Sequence, residues 1–215
     1  MARILASEAD VAEGVDALLA LDRRLVPVLE IAGKVRLRRS QPGFAGLAAI
    51  VVAQQLSVAS ADAIHGRLVA LVDPMTAAGL AAAEEAALRA CGLSRPKIRT
   101  LRALAEAELS GALDFAGLGA DDPEAARAAL TKVSGIGPWT ADIFLLFGLG
   151  HADIFPAGDL ALKNAVAEAL ALAGQPSTAE LEGLAACWSP WRGVAACLFW
   201  AYYRARRGGR EAAPV

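Results

Sequence analysis

Cysteine is scarce in this chain. Its three copies, Cys91, Cys187 and Cys197, are an odd number at spacings that fit no zinc or iron–sulfur pattern. They are expected to be reduced, buried small hydrophobes. An excess of charge of one sign is missing as well, since 21 basic residues stand against 23 acidic ones for a formal charge of −2. That balance argues against a protein that grips a polyanion by bulk electrostatics, and leaves room for a local grip or one made by backbone amides. No apolar run reaches the ~20 residues needed to cross a bilayer. The start, MARILASEADVAEG, has neither the apolar core nor the cleavage site of a signal peptide. A soluble cytoplasmic protein with no membrane partner is expected. β-branched runs are short, there are no repeats, and no hairpin signal for paired strands stands out.

Alanine and leucine dominate nearly every window, and hydrophobic types make up 56% of the 215 residues, which favours an all-α fold with a real core. Helices are expected over 8–20 and 22–33, the second with Pro27 near its first turn and Gly33 as its stop. The basic, polar segment 34–43 reads as a surface connection. From Phe44 to Val72 the apolar period is helical but is broken by Gln54, Gln55 and Ser57, so one helix ends near Gln55 and another starts at Ser57 or Ser60. Helices follow over 76–90 and 96–109, with Ser94 capping the latter. Others are expected over 121–133, from Pro138 to about Gly148, from Asp159 onward, and from about Pro190 to Arg206.

The most informative stretch is LTKVSGIGPWTAD, residues 130–142. Two helices joined by SGIG need glycine where the backbone turns sharply, and those glycines leave N–H groups uncovered. Pro138 at the first helical position leaves the amides of the next turn facing outward at the positive end of a helix dipole. Such a site attracts phosphate without lysine or arginine. A plain tight turn between packed helices explains the same glycines.

SGIGPWTAD followed by DIFPAGDLALK (153–163) resembles the helix-hairpin-helix, Gly/Pro loop and aspartate signature of a DNA glycosylase superfamily. IVVAQQLSVASA (50–61), GLSRPKIRTLRALAEA (92–107) and WSPWRGVAACLFWAYYR (188–204) resemble the matching blocks of DNA-3-methyladenine glycosylase II, so that the likeness runs over about 22–206 in the right order. The resemblance implies a helix-hairpin-helix glycosylase core of two helical subdomains with the active-site cleft between them. Subdomain A is expected at about 44–148, including the hairpin 130–148, and subdomain B at about 1–43 and 149–207, with 208–215 a flexible tail. The implied partner is double-stranded DNA carrying damaged bases, and a monomer is the expected form for a protein that scans it.

By the same resemblance Asp159 occupies the catalytic aspartate position; on local grounds it also suits a helix N-cap. One carboxylate is enough for the chemistry, because breaking an N-glycosidic bond builds positive charge on the sugar. An alkylated purine already carries positive charge and leaves without a strong general acid, which fits the lack of a partner histidine: His65 reads as helix surface and His151 as a loop residue. Bifunctional relatives carry a nucleophilic lysine where this chain has Trp139, so hydrolysis without strand nicking is implied. Lys132 and Lys163 do not match that position. Gln55, with Leu56 beside it, falls where the wedge that fills the gap left by the flipped base is expected, although Gln54 and Gln55 also suit a helix end.

Trp139 and Trp200 match walls of the base pocket, joined by Tyr203 or its neighbour Tyr202, while Trp188 and Trp191 read as core. A cationic purine gains about 0.5–2 kcal/mol against such faces. Where relatives carry pocket tyrosines this chain has Leu160 and Ile143, which implies a less aromatic pocket. Phosphate contacts are expected at Gly135, Gly137, Trp139 and Thr140. Basic clusters at Arg95, Lys97 and Arg99 and at Arg204, Arg206, Arg207 and Arg210 either track further phosphates or form solvated faces. No cofactor or iron–sulfur cluster is required, and a structural Na+ or K+ on the carbonyls of Thr131, Val133 and Ile136 is implied. Two rivals stay open: a non-catalytic hairpin module that binds DNA, and a glycosylase for oxidised or deaminated bases.

Overall fold

The computed structural model describes residues 3–36, 38–119 and 122–208. Among them there is no sheet; Ile4 and His151 form an isolated antiparallel bridge. The described chain divides into two compact units, one made of the segment up to Arg39 with residues 150–208, the other of Ser40–Leu149. Of the basic residues singled out above, Arg210 lies outside the described residues, as does all but Gly208 of the expected tail.

The first unit begins with α1 (Glu8–Leu21) and α2 (Val26–Ala32). The second holds α3 (Gly43–Ala53), α4 (Val58–Leu71), α5 (Ala77–Ala82), α6 (Glu85–Ala90), α7 (Arg95–Leu109), α8 (Phe115–Leu118), α9 (Pro123–Thr131) and α10 (Pro138–Ile143). The chain returns to the first unit with α11 (Leu160–Ala169), α12 (Thr178–Ala185) and α13 (Arg192–Arg206).

In the first unit α13 is the core helix, with Val194, Ala195, Ala196, Leu198, Phe199 and Trp200 all buried. Gly14 lets α1 come close: a Cβ there would sit 2.7 Å from the Trp191 ring. Trp188 is fully buried between Phe155 and Phe199, at ring-centroid distances of 5.6 and 5.1 Å. Its indole N–H donates to Asp22 Oδ2 at 2.9 Å, so the one polar atom of the ring is satisfied. Arg24 holds the same carboxylate with Nε and Nη2, and those bonds, helped by the Trp188 indole, lower the Asp22 pKa to about 2. Both tryptophans expected in the core are there.

In the second unit α3 is apolar on every side, and Phe44, Leu47, Ala48, Ile50, Val51 and Val52 are all buried. α7 lies along it with Ile98, Leu101, Leu104 and Ala105 inward, at helical spacing, and Ser94 caps its start as its sequence suggests.

Three local expectations need correction. The helix expected over 76–90 is two, because Ala83 and Glu84 are extended and Arg102 of α7 takes the carbonyls of Ala81 and Ala83 at 3.0 and 2.6 Å. A tertiary bond thus ends a helix inside an alanine-rich run with no local stop signal. The helix from Pro138 gives way to a π-helical stretch at Phe144–Leu149. His151 lies outside the helices, as expected of a loop residue, and is fully buried beside the N-terminal segment, where Ala152 N–H donates to Arg3 O and Leu5 N–H to Gly150 O. Cys91 is buried, but Cys187 is exposed and Cys197 only half-buried. Sequence reading also missed α12, although the capping box of Ser177 and Glu180 announces it.

Candidate active site

Asp159 is the N-cap of α11, and the chain leading to it is tightly tied. Ala157 N–H donates to Phe155 O and Asp159 N–H to Pro156 O, both at 2.8 Å. Further back, Asp153 holds Ser189 Oγ at 2.8 Å and Arg192 Nε at 2.8 Å, which fastens this segment to the start of α13. The Asp159 carboxylate is itself aimed from two sides. Its Oδ1 accepts the Leu162 N–H at 2.9 Å, a helix cap, and the Trp200 indole N–H at 3.2 Å. The residue is 8% exposed and Trp200 is 3% exposed.

Two of the residues singled out from the sequence, far apart in the chain, are therefore in direct contact. Tyr203 lies one turn on along α13, half-buried, with the Arg207 guanidinium 4.8 Å above its ring. Leu160, next to the carboxylate, is 63% exposed. Lys163, the nearest lysine in sequence, turns away and donates to Thr178 Oγ1 at 2.9 Å.

The second unit carries the hairpin. Asp122 caps α9, and Gly137 starts α10 with no side-chain cap and with Pro138 at its first position. The first-turn amides of α10 therefore have no partner from a capping side chain. Gly135 turns the chain at φ +89, and a Cβ there would run into the Thr100 hydroxyl of α7, so both backbone angle and space demand glycine. The two hairpin helices are locked by Arg127, whose Nε donates to the buried Asp142 carboxylate at 2.6 Å. Trp139 is half-buried, whereas Ile143 is fully buried, so the latter touches a base only if its cover moves. The carbonyls of Thr131, Val133 and Ile136 are neutral, hard donors; Val133 O accepts the Ile136 N–H at 3.0 Å and retains a second lone pair. That donor set fits a monovalent cation. Among the described residues no group of three or more His, Cys, Asp or Glu side chains is placed to hold a metal.

The QQLS turn sits between α3 and α4. Gln55 has φ +57 and is exposed, Leu56 is 38% exposed, and Ser57 caps α4 by accepting from Ser60 N–H. Gln54 does something else: its Nε2 donates to Thr140 Oγ1 at 2.8 Å. Lys97 is likewise occupied, donating to Val52 O at 2.7 Å with its pKa lowered by burial. Neither contact was visible in the sequence, which left Lys97 either tracking a phosphate or lying on a solvated face. Arg206 is similarly engaged with Glu168 at 2.6 Å, while Arg95 and Arg99 remain exposed.

Residues 48–192 match the sequence profile of the HhH-GPD superfamily base excision DNA repair proteins. The alkylbase DNA glycosidase-like protein mag2 of Schizosaccharomyces pombe is 32% identical over 124 residues, 57% of this chain and 58% of that protein. The chain thus spans little more than half of that relative. A crystal structure of a DNA-3-methyladenine glycosidase from Bacillus halodurans superposes with a TM-score of 0.79 at 33% identity, covering 94% of this chain and 93% of that one. The Schizosaccharomyces pombe 3-methyladenine DNA glycosylase Mag1, in complex with abasic DNA, gives 0.77 at 27% identity, over 89% and 95% of the two chains.

Proposed function

The chain belongs to the HhH-GPD superfamily of base excision DNA repair proteins, and on that premise we propose that it is a DNA glycosylase that hydrolyses alkylated purines from duplex DNA and leaves an abasic site. The observation that carries this reading is the Asp159 carboxylate, fixed by the Leu162 amide and the Trp200 indole. Both donors bind the same oxygen, so the group's direction is set before any substrate arrives.

The chemistry needs little more. The bond between the sugar and a cationic 3-methyladenine or 7-methylguanine breaks with its electron pair going to the base, which leaves neutral. The sugar becomes oxocarbenium-like, the Asp159 anion stabilises it, and water adds to the same carbon with loss of a proton. The hairpin amides at Gly135, Gly137, Trp139 and Thr140 bind the DNA backbone, and a Na+ or K+ on the carbonyls of Thr131, Val133 and Ile136 would stiffen the turn. Gln55 and Leu56 fill the space of the extruded base. Tyr203 and Leu160 supply surface for the base on the unit that carries Asp159, and Trp139 supplies an aromatic face on the hairpin. Trp139 stands where a lyase would need an amine, and Lys163 is turned to Thr178, which supports hydrolysis without a Schiff base.

Methylated duplex DNA tests this directly. The expected products are free 3-methyladenine or 7-methylguanine, with strands intact until alkali is added and no adduct trapped by borohydride. Strand cleavage without alkali, with a trapped adduct, would overturn the monofunctional reading. DNA binding with no base released would favour a non-catalytic hairpin module.

A further inference from the structure

The turn at residues 53–57 is held far more firmly than its exposed tip requires. α3 ends at Ala53, so the carbonyls of its last turn lack helical partners. Lys97 Nζ takes Val52 O at 2.7 Å, and Leu56 N–H takes Ala53 O at 3.2 Å. Gln54, in an extended conformation at φ −50 and ψ 129, then reaches across to the Thr140 hydroxyl at 2.8 Å. Thr140 is 3% exposed and lies on α10 directly after Trp139. Only after these ties does the chain enter the left-handed conformation of Gln55, at φ +57. A non-glycine residue pays about 1 kcal/mol or more for that conformation and keeps it only when its surroundings impose it.

We propose that Gln54 and Thr140 form a positioning pair that fastens the Gln55–Leu56 tip to the hairpin helix, so that the tip enters the DNA stack at a fixed height relative to the phosphate-binding turn. The inference rests on the glycosylase reading above and assigns neither residue to the chemical step. Two functions of the second unit, gripping the backbone and displacing a base, are joined through one hydrogen bond 86 positions apart in sequence. A tip free to pivot would yield under the stacked bases instead of replacing one of them. Lys97 supports the same turn from beneath, its positive charge at the negative end of α3.

The test compares release of 7-methylguanine from two duplexes, one with cytosine opposite the lesion and one with an abasic site there. Extrusion is costly in the first and cheap in the second. Gln54→Met and Thr140→Val each remove the bond at nearly constant volume and should lower release opposite cytosine by about fivefold, the usual worth of one hydrogen bond. Opposite the abasic site the loss should shrink to about twofold or less, because less displacement is needed. Thr140→Ser keeps the hydroxyl and should restore the cytosine-paired rate. The double variant Gln54→Met/Thr140→Val should be no worse than either single change.

Equal losses on both duplexes, or additive losses in the double variant, would overturn the pairing and leave the contact a matter of packing alone. Rates opposite cytosine that match the wild type would overturn it as well. If the wild type releases nothing from either duplex, the glycosylase reading itself fails, an outcome separate from all of these.

Discussion

Two helix starts carry the account, and they are built in opposite ways. α11 begins at Asp159, whose own carboxylate caps the helix by accepting the Leu162 N–H. α10 begins at Gly137, with no capping side chain and with proline next in line. Both present the positive end of a helix dipole and a set of amides that seek an anion. At α11 the protein supplies that anion itself and fixes it further with the Trp200 indole. At α10 no side chain caps the helix start, and on the proposed function a phosphate from outside takes that place. On the proposed function, one end confronts a developing cation and the other receives a fixed anion. On that proposal a near-neutral protein holds DNA without a basic surface.

The largest expected effect falls at the first of these ends. Asp159→Asn keeps a good capping side chain but removes the negative charge, and base release should drop by about a thousandfold or more with the thermal transition nearly unmoved. A variant that keeps a tenth of the wild-type rate would show that the anion at α11 is not the catalytic element. At the other end, Gly137→Asp copies the design of α11 onto α10. Gly137 has an ordinary φ of −88 and open space where a Cβ would go, so the side chain fits. It should cap α10 and stabilise the fold by up to about 1 kcal/mol, while weakening binding to an abasic-site duplex by about tenfold or more through competition and repulsion. Unchanged binding would break the comparison.

Smaller effects sharpen it. Arg127→Leu removes the guanidinium that pairs with the buried Asp142 carboxylate and should cost about 3 kcal/mol of stability, read by denaturant melting, because a buried charge loses its opposite charge. Trp200→Phe keeps an aromatic ring but removes one donor from Asp159, and should slow base release about tenfold with little change in DNA affinity. Acid stability offers the least dramatic check. The folded pKa of Asp22, about 2, lies below its ordinary value. Its contribution is therefore present above about pH 4 and lost as the pH falls toward 2, an effect of about 1–2 kcal/mol. Asp22→Asn should flatten that part of the stability profile.

How much of this the sequence disclosed follows from range. Signals written within a few residues were legible: Ser94 and Asp159 as caps, the glycines of SGIG, Pro138 at a helix start, and a helix break near Gln55, which falls after Ala53. The all-α fold followed from composition and period. What stayed hidden depends on partners far along the chain. Arg102 splitting the 76–90 run, Gln54 reaching Thr140, Lys97 turning to Val52, and Thr100 beneath Gly135 are each set by packing of separate helices. Lys97 is instructive, because its place in a basic cluster suggests a phosphate contact or a solvated face while its geometry commits it to a helix end. α12 is a different case, since its capping box was present in the sequence and went unread.

The most direct test of the central claim measures base release from methylated duplex DNA and binding to an abasic-site duplex, side by side, for wild type, Asp159→Asn and Gly137→Asp. The account predicts that Asp159→Asn binds as the wild type does and releases base about a thousandfold or more slowly, while Gly137→Asp folds normally and binds about tenfold or more weakly. Release by Asp159→Asn near the wild-type rate, or normal binding by Gly137→Asp, would contradict it.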